Sequence, residues 1–307
     1  MDTQSYRRFT RSAFFTLFLL APVLDVFRLD LNQGHFILLG LDWTLGVDPG
    51  TQADAMGLAA QVMLRVFLPG MALVAAGIWL VWRYGRLYCG WLCPHFSVVE
   101  GLDALMQRCL GRRSVWERLR GEGRGRAAAG RVTFATACLA VAFLWALTLL
   151  TYLVTPLQVY TGLATLELPR WQGIFLTAAT TVFAVDFILA RHFFCKYGCA
   201  LGVFQSLIWM GHPKGLVVRF DAHRARDCRD CNACDLACPM RLPPRGMKRA
   251  KFTCTQCLEC VSACADVQRD NPRGPLLHWV AGEAARAVDR QPRQGPATPR
   301  VVRPAEL

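Results

Sequence analysis

CRDCNACDLACP, residues 228–239, and CTQCLECVSACA, residues 254–265, carry eight of the chain's fourteen cysteines. Both read C-x2-C-x2-C-x3-C, closed by Pro239 in the first copy and Ala265 in the second. Each cysteine of the first copy recurs 26 positions later, 228 with 254, 231 with 257, 234 with 260 and 238 with 264, which marks an internal duplication. Three thiols at this spacing wrap one face of an iron–sulfur cube, and the fourth, carried off on a short helix, reaches a second cube. Cys228, Cys231, Cys234 and Cys264 are therefore expected to hold one [4Fe–4S] cluster, and Cys254, Cys257, Cys260 and Cys238 the other. Zinc is the competing assignment, but its structural sites combine two C-x2–4-C pairs or a pair with histidines. Pro239 is expected to end its ligand loop by fixing φ, and Ala265 to leave the second loop looser. The linker 240–252 carries Arg241, Arg245, Lys248, Arg249 and Lys251 without an acid. It either offsets cluster charge, meets a membrane surface or docks an acidic partner.

Outward from this doublet the chain changes character. Of its 307 residues 53% are hydrophobic and the mean hydropathy is positive, as in small membrane proteins. The formal charge of +13 is not accompanied by any helix-turn-helix, zinc-finger or aromatic RNA-binding pattern, so nucleic acid is not an expected partner. Four stretches, near 12–28, 60–82, 132–154 and 172–190, approach the roughly 20 apolar residues that a bilayer crossing needs. The first holds Pro22 and Asp25, and its start, YRRFTRSAFF, is similar to a twin-arginine export signal; an uncleaved anchor is expected.

Ten arginines against four acids in 83–131, and four aspartates with no Lys or Arg in 29–59, place the basic loop, both termini and everything after 191 in the cytoplasm. Segment 96–120 reads as a surface helix on anionic lipid, and 111–131 reads equally as a solvated basic linker. The expectation is an α-helical membrane protein with four transmembrane helices. It comprises a membrane domain over 1–210 with two cytoplasmic C-x3-C loops, a two-cluster ferredoxin-like domain over 211–280, and a disordered tail over 281–307.

Those loops are CGWLCP at 89–94 and CKYGCA at 195–200, with an offset of 106 for both cysteines. Two crossings separate them, so both face the same side and their four sulfurs can converge. Cys89, Cys93, Cys195 and Cys199 form a third metal or cluster site, act as redox thiols toward electrons or a soft metal such as Cu(I), or pack as small hydrophobes. A disulfide is poorly placed in a reducing compartment. Cys138 reads as packing and Cys109 as incidental. Asp25, Arg65 and Asp186 fall in or near apolar spans; an Asp25–Arg65 pair is either structural or part of a quinol pocket. His95 and His192 adjoin the cysteine pairs as further ligands, proton carriers or ordinary interfacial histidines. No serine triad, phosphate loop or dinucleotide fingerprint is present, and no catalytic residue is assigned.

LDLNQGHFILLGLDW (29–43), GRLYCGWLCPHFSVVEGLD (85–103), FCKYGCALGVFQSLIW (194–209) and the cysteine doublet through CVSACADVQRDNPRGPLLHWV together resemble the FixG/CcoG-type membrane polyferredoxins, relatives of the NapH-type ones. The resemblance covers about residues 6–280. It implies electron transfer at the bacterial cytoplasmic membrane, either to copper during maturation of a haem–copper oxidase with its assembly proteins, or from quinol into a reductase chain. Ala200, where the family has proline, and the missing later span and periplasmic domain are departures. The alternative is a non-redox assembly or metal-handling factor that binds a soft metal through the membrane cysteine pairs.

Overall fold

The computed structural model describes residues 3–31, 34–43, 55–111, 124–228 and 231–290. Helix α1 (Thr3–Leu20) leads into an antiparallel meander of β1 (Phe27–Asp30), β2 (His35–Leu38) and β3 (Leu41–Trp43). Helices α2 (Ala55–Val62) and α3 (Leu68–Tyr84) are joined by a π-helical turn, and α4 (Leu87–Trp91), α5 (Pro94–Leu110), α6 (Arg124–Thr151), α7 (Pro156–Thr165), α8 (Arg170–Val185) and α9 (Ala200–Met210) follow. The remainder holds β4 (Val217–Phe220), α10 (Ala233–Ala237), α11 (Glu259–Val267), β5 (Leu277–Val280) and α12 (Glu283–Arg286). The chain forms two compact units that are not consecutive in sequence: residues 1–12, 75–96 and 192–307 make one, and 13–74 with 97–191 the other.

Among the described residues, three helical stretches are long and apolar enough to cross a membrane: Ala59–Tyr84, Ala128–Thr151 and Arg170–Ala190. The first exposes Met63, Leu64, Phe67, Leu68, Met71 and Leu73, the all-round apolar surface of a helix solvated by lipid. Its π-helical turn, Met63–Phe67, sits just before Pro69, whose missing N–H leaves the ladder one donor short. The stretch expected to cross at 12–28 is interrupted. Helix α1 stops at Leu20, Asp25 takes φ +51°, and Phe27–Asp30 pairs as a strand with His35–Leu38. Pro22 explains the break: it cannot donate to the Phe18 carbonyl, and the Tyr152 hydroxyl donates there instead at 2.6 Å.

The unit built from 13–74 and 97–191 has its core between α5, α6 and α8. Val99, Leu102, Met106 and Leu110, spaced three or four apart on α5, pack with Phe134, Cys138, Ala142, Trp145 and Phe187. The described part of the expected lipid-surface helix at 96–120 is thus a packed helix whose apolar stripe is covered by protein; residues 112–123 lie outside the described residues. Cys138 is packing, as its mid-span position suggests. Asp25 pairs with Arg28 at 2.6 Å, not with Arg65, and Arg28 also holds the buried Asp30 at 3.0 Å. That pairing sits at the base of the meander and accounts for Asp25 without a ligand.

The other unit is organised on Trp209. Its indole donates to the Leu216 carbonyl at 2.9 Å, and Val217, Ala285 and Val288 pack around it. Residues 283–290, part of the expected tail, are therefore ordered into helical turns by this contact; 291–307 lie outside the described residues. Two of the linker cations are also spoken for. Lys248 is buried over the Trp209 ring and donates to the Trp209 and His212 carbonyls at 3.1 and 2.5 Å. Lys251 donates to Val218 and Pro244. Trp209→Ala is expected to cost about 3–5 kcal/mol by leaving a cavity at this hub, seen as a lowered thermal midpoint in detergent.

Candidate iron–sulfur site

The duplication read from the cysteines is repeated in the backbone. Asn232 and Leu258, 26 residues apart, both take the left-handed conformation (φ 54° and 63°), and α10 and α11 begin directly after them. Asn tolerates this region; leucine adopts it at a cost, held by its burial in the core around β4 and β5. The copies then diverge. Pro239 disfavours helix at the residue before it, so α10 ends at Ala237 and Cys238 is extended. Ala265 imposes no such stop, and α11 runs on through Cys264 to Val267. The expected loosening is instead a longer helix.

Cys228, Cys231, Cys234 and Cys264 line one cavity of about 360 Å³, measured with its open mouth, together with Phe220, Leu276, Leu277 and Arg245. Arg245 reaches Cys228 Sγ at 3.8 Å and is anchored by Asn232 at 3.0 Å and Asp235 at 3.1 Å. Cys254, Cys257, Cys260 and Cys238 form the second set, close enough that ionising one opposes ionising the next. Burial, reinforced by neighbouring sulfurs, pushes Cys234 and Cys257 up to about 12 and Cys238 to about 11 and raises Cys260, and burial alone raises Cys254. Among the described residues, no three His, Cys, Asp or Glu side chains converge on a point that would hold a single ion. The thiols of the first set instead ring a space, and all fourteen cysteines are free. This donor set suits a polynuclear cluster, whose iron displaces the thiol protons.

The two C-x3-C loops belong to the same unit and share a local design. In each, the first cysteine is buried (Cys89, Cys195) and the second stands at a helix N-terminus. Cys199 caps α9, its sulfur accepting from the Gly202 N–H at 3.4 Å. Cys93 precedes α5 and receives backbone N–H groups of His95 and Phe96, which oppose the burial that pushes it up to about 11. Pro94 and Ala200 occupy the first helical position, where no N–H is required, so Ala200 replaces the usual proline without structural loss. Cys93 and Cys195 lie in one apolar cluster with Cys238 and Cys254, closed by Phe96, Met240 and Leu242. Cys89, which donates to Gln205 at 3.3 Å, is held up by burial and also feels Cys199.

All twelve cysteines singled out in the sequence thus fall in one unit, in two sets of four and a neighbouring pair of pairs. His95 and His192 meet Phe194 and Phe96 edge-on beside them. Sequence reasoning missed the arginines. Arg7 donates to the Gly90 carbonyl at 2.8 Å and to Glu259 at 2.5 Å, and Gln4 donates to the Cys257 carbonyl, so the residues resembling an export signal brace the ligand loop. Arg86 is buried between the two loops. Gly90 is obligatory there, since a Cβ would stand 2.2 Å from the Thr255 carbonyl oxygen. Trp91 and Trp279 stack at 6.2 Å and both donate to Gln256.

A family model described as a 4Fe–4S binding domain matches residues 66–113 and 171–216, the two segments that contain the C-x3-C loops. The ferredoxin-type protein NapH of Haemophilus influenzae is 24% identical over 276 residues, covering 85% of this chain and 86% of that one. The chain is related to the NapH-type membrane polyferredoxins. The methylamine utilization ferredoxin-type protein MauN of Methylorubrum extorquens is 26% identical over 245 residues, 76% of this chain and 74% of its own. YccM of Escherichia coli K12 is 26% identical over 207 residues, 65% of this chain, which spans about half (54%) of YccM's length. No solved structure matches the chain. The chain thus carries a match to a 4Fe–4S binding domain together with three helices long and apolar enough to cross a membrane.

Because burial raises the thiols of Cys234, Cys238 and Cys257 above their ordinary value of 9.0, these three are protonated in the metal-free fold at neutral pH. Their neutral form stabilises that fold below pH 9, and the contribution is lost as pH rises toward 11–12. Iron loading must release these protons, so it is expected to tighten as pH rises from about 6.5 to 8.5, with acidification of a weakly buffered anaerobic titration as the readout.

Proposed function

We propose that this chain is a multi-pass protein of the bacterial cytoplasmic membrane that transfers electrons between cytoplasmic-side iron–sulfur clusters and a quinone or metal ion. Two [4Fe–4S] clusters would be held by Cys228, Cys231, Cys234 and Cys264 and by Cys254, Cys257, Cys260 and Cys238. A third thiol-ligated centre would be held by Cys89, Cys93, Cys195 and Cys199. The observation that supports the reading is the grouping of the thiols: Cys264 lines one cavity with Cys228, Cys231 and Cys234, and Cys238 lies near Cys254, Cys257 and Cys260. For the third centre, support comes from the apolar cluster that Cys93 and Cys195 share with Cys238 and Cys254, and from the family model that spans both loops.

Bound clusters supply one-electron redox centres whose potentials respond to charge, hydrogen bonds to sulfur and exposure. The chain's own residues act on those three properties. Arg245 brings a cation and an N–H to Cys228, and the Leu242 N–H donates to Cys238 at 3.4 Å. Phe96, Met240 and Leu242 exclude water between the sulfurs of the second set and those of the C-x3-C loops.

Contacts within this unit also support four crossings. Gln4 and Arg7 touch Cys257 and Gly90, which supports placing the start of α1 on the side that holds the first C-x3-C loop. In this reading Ala59–Tyr84 crosses once and a second crossing precedes it, with α1 supplying apolar residues for it. Reporter fusions at both termini are expected to read cytoplasmic; opposite readings would remove this crossing.

The function is tested on anaerobically purified protein by iron and sulfide quantitation with low-temperature EPR, at about four irons per cube. Wild type should hold about twelve, and a Cys89→Ser/Cys195→Ser variant about eight. That variant should also reoxidise at least tenfold more slowly with quinone or Cu(II) after dithionite reduction. Unchanged iron and reoxidation would remove the third centre and leave the C-x3-C pairs as structure; a colourless wild type would remove the clusters.

A further inference from the structure

Arg86 is 1% exposed. Its Nη2 donates to the Cys195 carbonyl at 2.8 Å, and its Nη1 to the Thr253 carbonyl at 3.3 Å and the Ser206 hydroxyl at 3.5 Å. Thr253 precedes Cys254, and Arg86 itself stands three residues before Cys89. One guanidinium therefore fastens both C-x3-C loops to the entry of the second ligand set. Space for it is reserved: a Cβ on Gly202 would stand 2.4 Å from Nη2.

Among the described residues no carboxylate ion-pairs with Arg86; its hydrogen bonds to oxygen go to two carbonyls and a hydroxyl, its Nε is buried without one, and its remaining hydrogen-bonding neighbour is the Cys89 thiol. A buried cation in that state is expensive unless an anion meets it. The neighbouring groups able to carry negative charge are sulfurs: Cys89 stands three residues after Arg86, and Cys254 directly follows Thr253, whose carbonyl the guanidinium holds.

We propose that Arg86 is the counter-cation and positioning residue of the junction between the C-x3-C loops and the Cys254 ligand set, raising the reduction potential of the centre held there. Reduction adds one negative charge, and a fixed cation inside a dry site stabilises the reduced form more than the oxidised one. The inference rests on the cluster reading above and adds a role for a residue that ligates nothing.

The test is an EPR-monitored redox titration of the loaded full-length protein in detergent, with iron content measured alongside, for wild type, Arg86→Gln, Arg86→Lys and Gly202→Ala. Arg86→Gln is expected to lower one midpoint by at least a tenfold change in the reduction equilibrium, about 59 mV for one electron, and to leave the Cys228-set midpoint in place. Arg86→Lys should recover at least half of that shift. Gly202→Ala, which keeps the charge but displaces it, should shift the same midpoint in the same direction by less. Unmoved midpoints in iron-replete Arg86→Gln, an equal shift of all midpoints, or no recovery with lysine overturns the proposal. Should Arg86→Gln fail to hold iron, Gly202→Ala decides, and an unmoved midpoint there overturns it. Wild type without clusters sinks the cluster reading itself, whereas wild type with Arg86-insensitive midpoints sinks this inference alone.

Discussion

Burying sulfur that must become anionic is the constraint on which the rest of this protein turns. A thiolate removed from water is strongly disfavoured, and several close together are worse, because each opposes the ionisation of the next. The chain answers with positive potential delivered from fixed positions. Arg245 stands at the first set, Arg7 and Arg86 beside the second, and backbone N–H groups at Cys93, Cys199 and Cys238. Once iron is added to the account, the same arrangement becomes favourable. The fold of this unit is consequently inseparable from its inorganic content, in the sense that metal binding is part of its folding free energy.

Two duplications run through the molecule, one in the ferredoxin doublet and one in the C-x3-C hairpins, and they have relaxed in the same way. The first copy of each keeps a proline after its last cysteine, Pro239 and Pro94, and the second has alanine, Ala265 and Ala200. The consequences differ with position. At the first residue of a helix, alanine serves as well as proline, and α9 starts where α5 does relative to its cysteines. At the end of a helix, proline is a stop, and without it α11 gains a turn that α10 lacks.

The ligand groups were legible because cysteine spacing is a short-range code: a two-residue step on a loop leaves few arrangements for three sulfurs. The three long spans were legible because length and hydropathy suffice. What stayed hidden depended on long-range contact. Arg7 and Arg86 read as cytoplasmic charge beside apolar segments, and nothing local distinguishes a topological arginine from one buried against a carbonyl 83 or 109 residues away. Helix α5 looked amphipathic, but amphipathicity does not say whether lipid or protein covers the apolar face. The tail misled because low hydropathy after 281 hid Ala285 and Val288, two small apolar residues for which Trp209 provides the seat. The break after Leu20 was signalled by Pro22, yet the strand beyond it takes its register from pairing that no single segment contains.

The unit that gathers the cysteines is stitched from three remote pieces, 1–12, 75–96 and 192–307. Gln4 and Arg7 leave the ribosome first, while their partners at Gly90, Cys257 and Glu259 arrive tens to hundreds of residues later. The sulfur-rich chamber therefore cannot close until the last of these pieces has been made, since segments emerge in the order of synthesis. Iron met before the 228–264 segment is translated would find, of the twelve grouped thiols, only the four of the C-x3-C loops and none of the ferredoxin doublet.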